Sequence, residues 1–205
     1  MTTCLPPYRL VRLHLTSRRT LPALALTAAV AVALRACLQW AGDAGSPARL
    51  LPLIGVLGTA AVTSVAGRSP IGEPERATGH LLPLLRLLHS GGHAVIAALA
   101  LALATHGVPL PDGTTVLIRN LAGVTGMALL AAVALGASLA WIPPTGYCLL
   151  CAAGLEQQWT NAAVWPLRPP HDTMAAAAAA TLLAVGLLSF TLRGARDTRH
   201  DHAAA

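Results

Sequence analysis

The sequence predicts an all-α, polytopic helical membrane protein with about six transmembrane helices and both termini in the cytoplasm. Three observations predict it. The 205 residues are 55% hydrophobic and only 11% charged, with a mean hydropathy of +0.61, whereas an ordinary soluble domain has roughly a quarter of its residues charged. The apolar residues fall into six runs separated by short stretches rich in Pro, Gly and charge. The arginines are unevenly shared among those stretches. A chain of this length accommodates about six spans of ~20 residues and no separate soluble domain. It divides into a basic, amphipathic cytoplasmic segment (1–20), a six-helix membrane domain (21–192) and a polar carboxyl-terminal tail (193–205) expected to be disordered.

In "YRLVRLHLTSRR", Tyr8 to Arg19, Arg9 and Arg12 stand beside Leu10 and Leu13. This suits either a short helix on the cytoplasmic surface with arginines toward lipid phosphates, or a basic flank that sets orientation. The first run, Leu21 to Gly42, is interrupted only by Arg35. The twin arginines, apolar stretch and Cys37 loosely match a lipoprotein export signal, but Arg35 and the spans that follow favour an uncleaved first helix. Arg35 is close enough to Trp40 to snorkel to the outer interface. As an intramembrane charge it is also flagged as functional, with Glu156 the expected partner.

The second run is Leu50 to Gly67. The third runs to Gly107 from about His93, if not from further upstream, and on the narrower bounds is short for a full span. Pro109, Pro111, Asp112 and Gly113 then mark a turn. The fourth run, about Val116 to Ala137, opens on Arg119 and Asn120, read as an interfacial anchor. Ala128, Ala132, Gly136 and Ala140 place small residues every fourth position, which allows close helix approach. The fifth run, Leu139 to Gly154, is also short; Pro143 and Pro144 fit its first turn, where missing amide hydrogens cost little. "WPLRPPHD" breaks the chain before the sixth run, Thr173 to Leu192.

Orientation follows from the arginines. With the amino terminus inside, the inner segments hold Arg9, Arg12, Arg18, Arg19, Arg68, Arg76, Arg86, Arg193, Arg196 and Arg199, and the outer ones only Arg49, Arg119 and Arg168. The positive-inside rule then places the protein in the plasma membrane with both ends inside. Trp40, Trp159 and Trp165 fall near the outer interface and Trp141 near the inner one.

The chain shows no nucleotide-binding loop and no catalytic-triad spacing, so it is not expected to be an enzyme by itself. The arginines form no stripe interleaved with aromatics, which sets nucleic acid aside. The eight histidines are scattered; His89 and His93 share a helical face but lack a third ligand, so neither metal nor other cofactor is expected. Cys148 and Cys151 have the spacing of a redox pair, although cysteines in an apolar run are most often small core residues.

The segment "SPIGEPERATGHLLPLLRLLH", Ser69 to His89, puts Glu73, Glu75 and Arg76 between the second and third runs. Leu81, Leu84, Leu85 and Leu88 follow at helical spacing. Glu75, Arg76, Ala77, Thr78, Gly79, His80 and Leu81 follow an E-R-x-x-G-x-L pattern, with His80 where threonine is common. In this motif, and in its six-helix layout, the chain resembles integral subunits of the ABC-2 class of ABC exporters. The layout also resembles that of actinobacterial polytopic membrane proteins. The exporter resemblance implies a half-transporter that forms a homodimer or heterodimer in the bilayer. Its cytoplasmic loop, here 68–92, docks a separate ATPase through Glu73, Glu75, Arg76 and Gly79. It also implies a structured outer segment between helices five and six, here Glu156 to Asp172. Two other readings stand beside it: a non-catalytic accessory or assembly subunit, and a quinone-linked thiol oxidoreductase using Cys148 and Cys151.

Overall fold

A computed structural model describes residues 20–41, 45–66, 81–110, 112–156 and 162–196. Six α-helices follow one another: α1 Thr20–Ala41, α2 Gly45–Ala66, α3 Leu81–Thr105, α4 Gly113–Leu135, α5 Ile142–Glu156 and α6 Thr173–Arg193. A 3-10 helix, Ala162–Leu167, lies between α5 and α6, and no strand occurs among the described residues. Four of the helices, α1, α3, α4 and α6, are long and apolar enough to cross a membrane. The apolar parts of α2 and α5 are shorter, Leu50–Ala66 and Ile142–Ala153.

The third helix takes the longer of its expected courses. It runs unbroken for 25 residues from Leu81, so the leucines after the charged loop open the span itself. Ser90, Gly91 and Gly92 lie within it, and the Ser90 hydroxyl donates to the Arg86 carbonyl at 2.7 Å. The fifth helix is short as expected, at 15 residues, and Pro143 and Pro144 occupy its first turn.

Neighbouring contacts set the helix directions. Val30 and Leu34 of α1 face Gly58 and Gly55 of α2, while Ala23 meets Val62 and Ala66, so these two helices are antiparallel. His89, near the start of α3, bonds the Ala66 carbonyl at the end of α2 at 3.2 Å. The Arg86 guanidinium lies over Gly194, just past the end of α6. The start of α1, the end of α2, the start of α3 and the end of α6 therefore share one end of the bundle. The Arg196 amide donates to the Ala132 carbonyl at 3.1 Å, so the first residues of the expected tail fold back onto α4. Residues 197–205 lie outside the described residues.

The interior is built around α4. Of the apolar stretch of α4, 72% is buried, against 28% for those of α1, α3 and α6. Those outer helices turn Leu26, Val32, Leu99, Leu103, Leu188 and Leu192 outward, as a surface solvated by lipid requires. The most extensive packing is between α4 and α6, which run parallel. A β-carbon on Gly126 would come within 2.3 Å of the Leu182 carbonyl carbon, and one on Gly186 within 2.5 Å of the Gly126 oxygen. Glycine at both positions lets the backbones touch. Ala128 and Ala132 are completely buried on α4, but the helix ends at Leu135, so Gly136 and Ala140, although buried too, lie beyond it and the expected stripe runs along the helix only as far as Ala132.

Candidate functional site

Two buried polar side chains of α4, Arg119 and Asn120, lie where the 3-10 helix enters the bundle. Trp165 projects onto Gly123, near the middle of α4, where a β-carbon would lie 2.2 Å from the ring. The indole is 6% exposed and stacks on Tyr147 of α5, with ring centroids 6.3 Å apart. Trp165 is thus a core residue rather than the interfacial anchor expected from sequence. Trp40 and Trp141 are exposed at opposite ends of the bundle, and Trp159 lies outside the described residues.

Irregular backbone at this depth needs donors for its carbonyls, because an unsatisfied polar group in an apolar medium costs several kcal/mol, roughly 2–7. Arg119 and Asn120 provide them. Arg119 Nη1 donates to the Pro169 carbonyl at 2.9 Å. Its Nη2 donates to Arg168 at 2.7 Å, with longer contacts to Trp165 at 3.3 Å and Pro166 at 3.4 Å. Asn120 Nδ2 donates to the Pro166 carbonyl at 2.8 Å. Both side chains belong to residues only 7% exposed, so they clamp a buried segment instead of anchoring at an open interface. Pro166, Pro169 and Pro170 explain why the segment needs the clamp: proline lacks an amide hydrogen, so carbonyls that a helix would satisfy are left over. Among the described residues, Arg119 Nε, Asn120 Oδ1 and Thr125 Oγ1 are buried without a hydrogen-bond partner.

Beyond the clamp, Asp172 caps α6. Its Oδ1 accepts from the Ala175 amide at 3.0 Å, and Oδ2 lies 3.6 Å from Arg168 Nε. The Ala175 amide, followed by the nearby Arg168 and Arg119 cations, holds this carboxyl below its ordinary range.

Arg35 uses its guanidinium in a related way. It donates to the Ala104 carbonyl at 3.2 Å and also to the His106 carbonyl, at the negative end of the α3 dipole. Glu156 is the last residue of α5. His89 and His93 hold different helices: His89 bonds the end of α2, and His93 Nε2 is 3.0 Å from the Thr27 hydroxyl of α1. Since that hydroxyl donates its one proton to the Ala23 carbonyl at 2.9 Å, the histidine is the donor of the shared bond. No group of three or more His, Cys, Asp or Glu is placed to hold a metal ion among the described residues.

Cys148 and Cys151 are free thiols, 2% and 3% exposed. Cys148 packs in the same core as Trp165, and Tyr147 and Cys151 stand four apart on one face of α5. The buried clamp, the tryptophan and the thiols were individually visible in the sequence, but nothing there signalled that they meet. The expected docking residues Glu73, Glu75, Arg76 and Gly79 lie outside the described residues, as does the amino-terminal segment 1–19. No family model, curated protein or solved structure matches this chain.

Proposed function

We propose that this chain is the membrane-spanning subunit of an ATP-driven exporter of the ABC-2 type, working with a separate cytoplasmic ATPase in the plasma membrane. The observation that carries the reading is the gathering of helix ends. The chain leaves α2 and enters α3 at the same end of the bundle where α1 starts and α6 stops, beside Arg86, Arg193 and Arg196. A basic end of this kind belongs in the cytoplasm. The 67–80 connection then faces the ATPase, with Glu73, Glu75, Arg76 and Gly79 as its contacts. Because α3 starts at Leu81, a push on that connection acts directly on a full-length span. Two such subunits, identical or different, would enclose the pathway, and all six helices would cross.

Co-expression with a candidate ATPase subunit tests the proposal. The two are expected to co-purify from detergent, and the double substitution Glu75→Ala with Arg76→Ala is expected to abolish recovery of the ATPase. Undiminished recovery would remove the docking assignment. A second reading, an accessory or assembly subunit without transport, draws on a specific observation: Arg35, Arg119 and Asn120 all donate to the chain's own carbonyls. Absence of any co-purifying ATPase would favour it.

A further inference from the structure

We infer that the segment 162–172 is a latched cover over a reactive thiol pair, with Arg119 and Asn120 as the latch and Cys148 and Cys151 as a modification site for soft electrophiles. The inference does not rest on the exporter reading. Its grounds are a continuous line of contacts. Arg119 and Asn120 bond four carbonyls of the segment, those of Trp165, Pro166, Arg168 and Pro169. Trp165 is fixed over Gly123 and stacks on Tyr147. Tyr147 and Cys151 stand one turn apart on the same face of α5, and Cys148 belongs to the same buried cluster as Trp165.

The cover differs from its surroundings in kind. The segment keeps a few backbone bonds of its own, from the Arg168 amide to the Trp165 carbonyl and from the Asp172 amide to the Pro169 carbonyl, and is held to the bundle by two side chains of α4 that donate to its carbonyls. Release of those side chains would free the segment without unwinding a helix. Trp165 would then leave the face of Tyr147 and open the thiols to water. While the latch holds, both thiols are shielded from water-borne reagents, being 2% and 3% exposed.

The native cysteines supply their own control, because Cys37 is exposed on α1. The full-length chain, purified in detergent, is treated with N-ethylmaleimide, and modification at each cysteine is followed by peptide mass spectrometry. Sulfur adds to one carbon of the maleimide double bond while the thiol proton passes through water to the other, so no oxidant is needed. In the wild type, Cys148 and Cys151 are expected to react far more slowly than Cys37. In Asn120→Ala they are expected to react about tenfold faster, the factor given by losing one buried hydrogen bond of about 1.4 kcal/mol, and in Trp165→Ala, which removes the packed ring itself, at least as much faster. The Cys37 rate and the helical circular dichroism are expected to stay unchanged. Arg119→Lys, which keeps the charge but loses the fork, carries the same test should Asn120→Ala lose helicity. Wild-type thiols that react as fast as Cys37 would overturn the inference. So would folded variants with unaltered rates, or variants that expose the thiols only by losing helicity, since the segment would then be part of the fold rather than a separable cover.

Discussion

At the scale of single residues, the dominant fact is that buried polar side chains in this protein serve backbone carbonyls. Asn120 has one strong bond, to Pro166. Removing it strands a buried acceptor, so Asn120→Ala is expected to lower stability by about 1–3 kcal/mol, read from thermal unfolding in detergent. Asp172 makes a pH prediction. Its folded carboxyl titrates below its unfolded value, so its capping contribution is complete above the unfolded value of about 4. The contribution disappears as the pH falls through the lower folded value. The stability difference between wild type and Asp172→Ala is therefore expected to be constant near neutrality and to shrink only on strong acidification. Asp172→Asn, which keeps a capping oxygen but no charge, is expected to lose the pH-dependent part, so that its stability difference from Asp172→Ala does not change with pH. Little of this was legible in sequence. Arg119 and Trp165 carry the usual marks of interfacial residues, and only the fold reveals that they meet, because their partners are main-chain carbonyls that no residue type announces.

At the scale of elements, the sequence outlined the helices well, and hydrophobic run length located each one. The start of the third run was left open between His93 and a point further upstream, and the helix takes the longer course. Gly91 and Gly92 have no neighbouring atom within 4 Å of an added β-carbon, and lipid offers their backbone no competing hydrogen bonds, so α3 continues through them. The glycines of α4 and α6 have the opposite character. Gly126→Ala and Gly186→Ala would each drive a methyl group into facing backbone and are expected to cost about 1–3 kcal/mol as overpacking. Gly91→Ala is expected to be neutral or to stabilise by up to about 1 kcal/mol through helix propensity. Thermal unfolding of the three variants side by side checks the contrast. The repeat of Ala128, Ala132 and Gly136 was visible as a packing stripe, but its partner helix was not, since small residues are abundant in every span.

At the scale of the whole molecule, alternating helix directions place residue 196 and the turn at residue 106 at opposite ends of the bundle. Cysteines introduced at these exposed positions, by Arg196→Cys and His106→Cys, are expected to react with an impermeant maleimide from opposite faces of sealed vesicles; labelling from the same face would contradict the topology. The contact between Gly126 and Gly186 also orders events in time. The most enclosed helix finds its main neighbour in a helix synthesised well after it, and Arg119 finds its carbonyls in the residues just before that helix. Until those residues are made, α4 sits in the bilayer with a bare guanidinium, and until α6 is inserted, with an open glycine groove. A chain that stalls before Trp165 therefore presents the membrane with a charge that has nowhere to go.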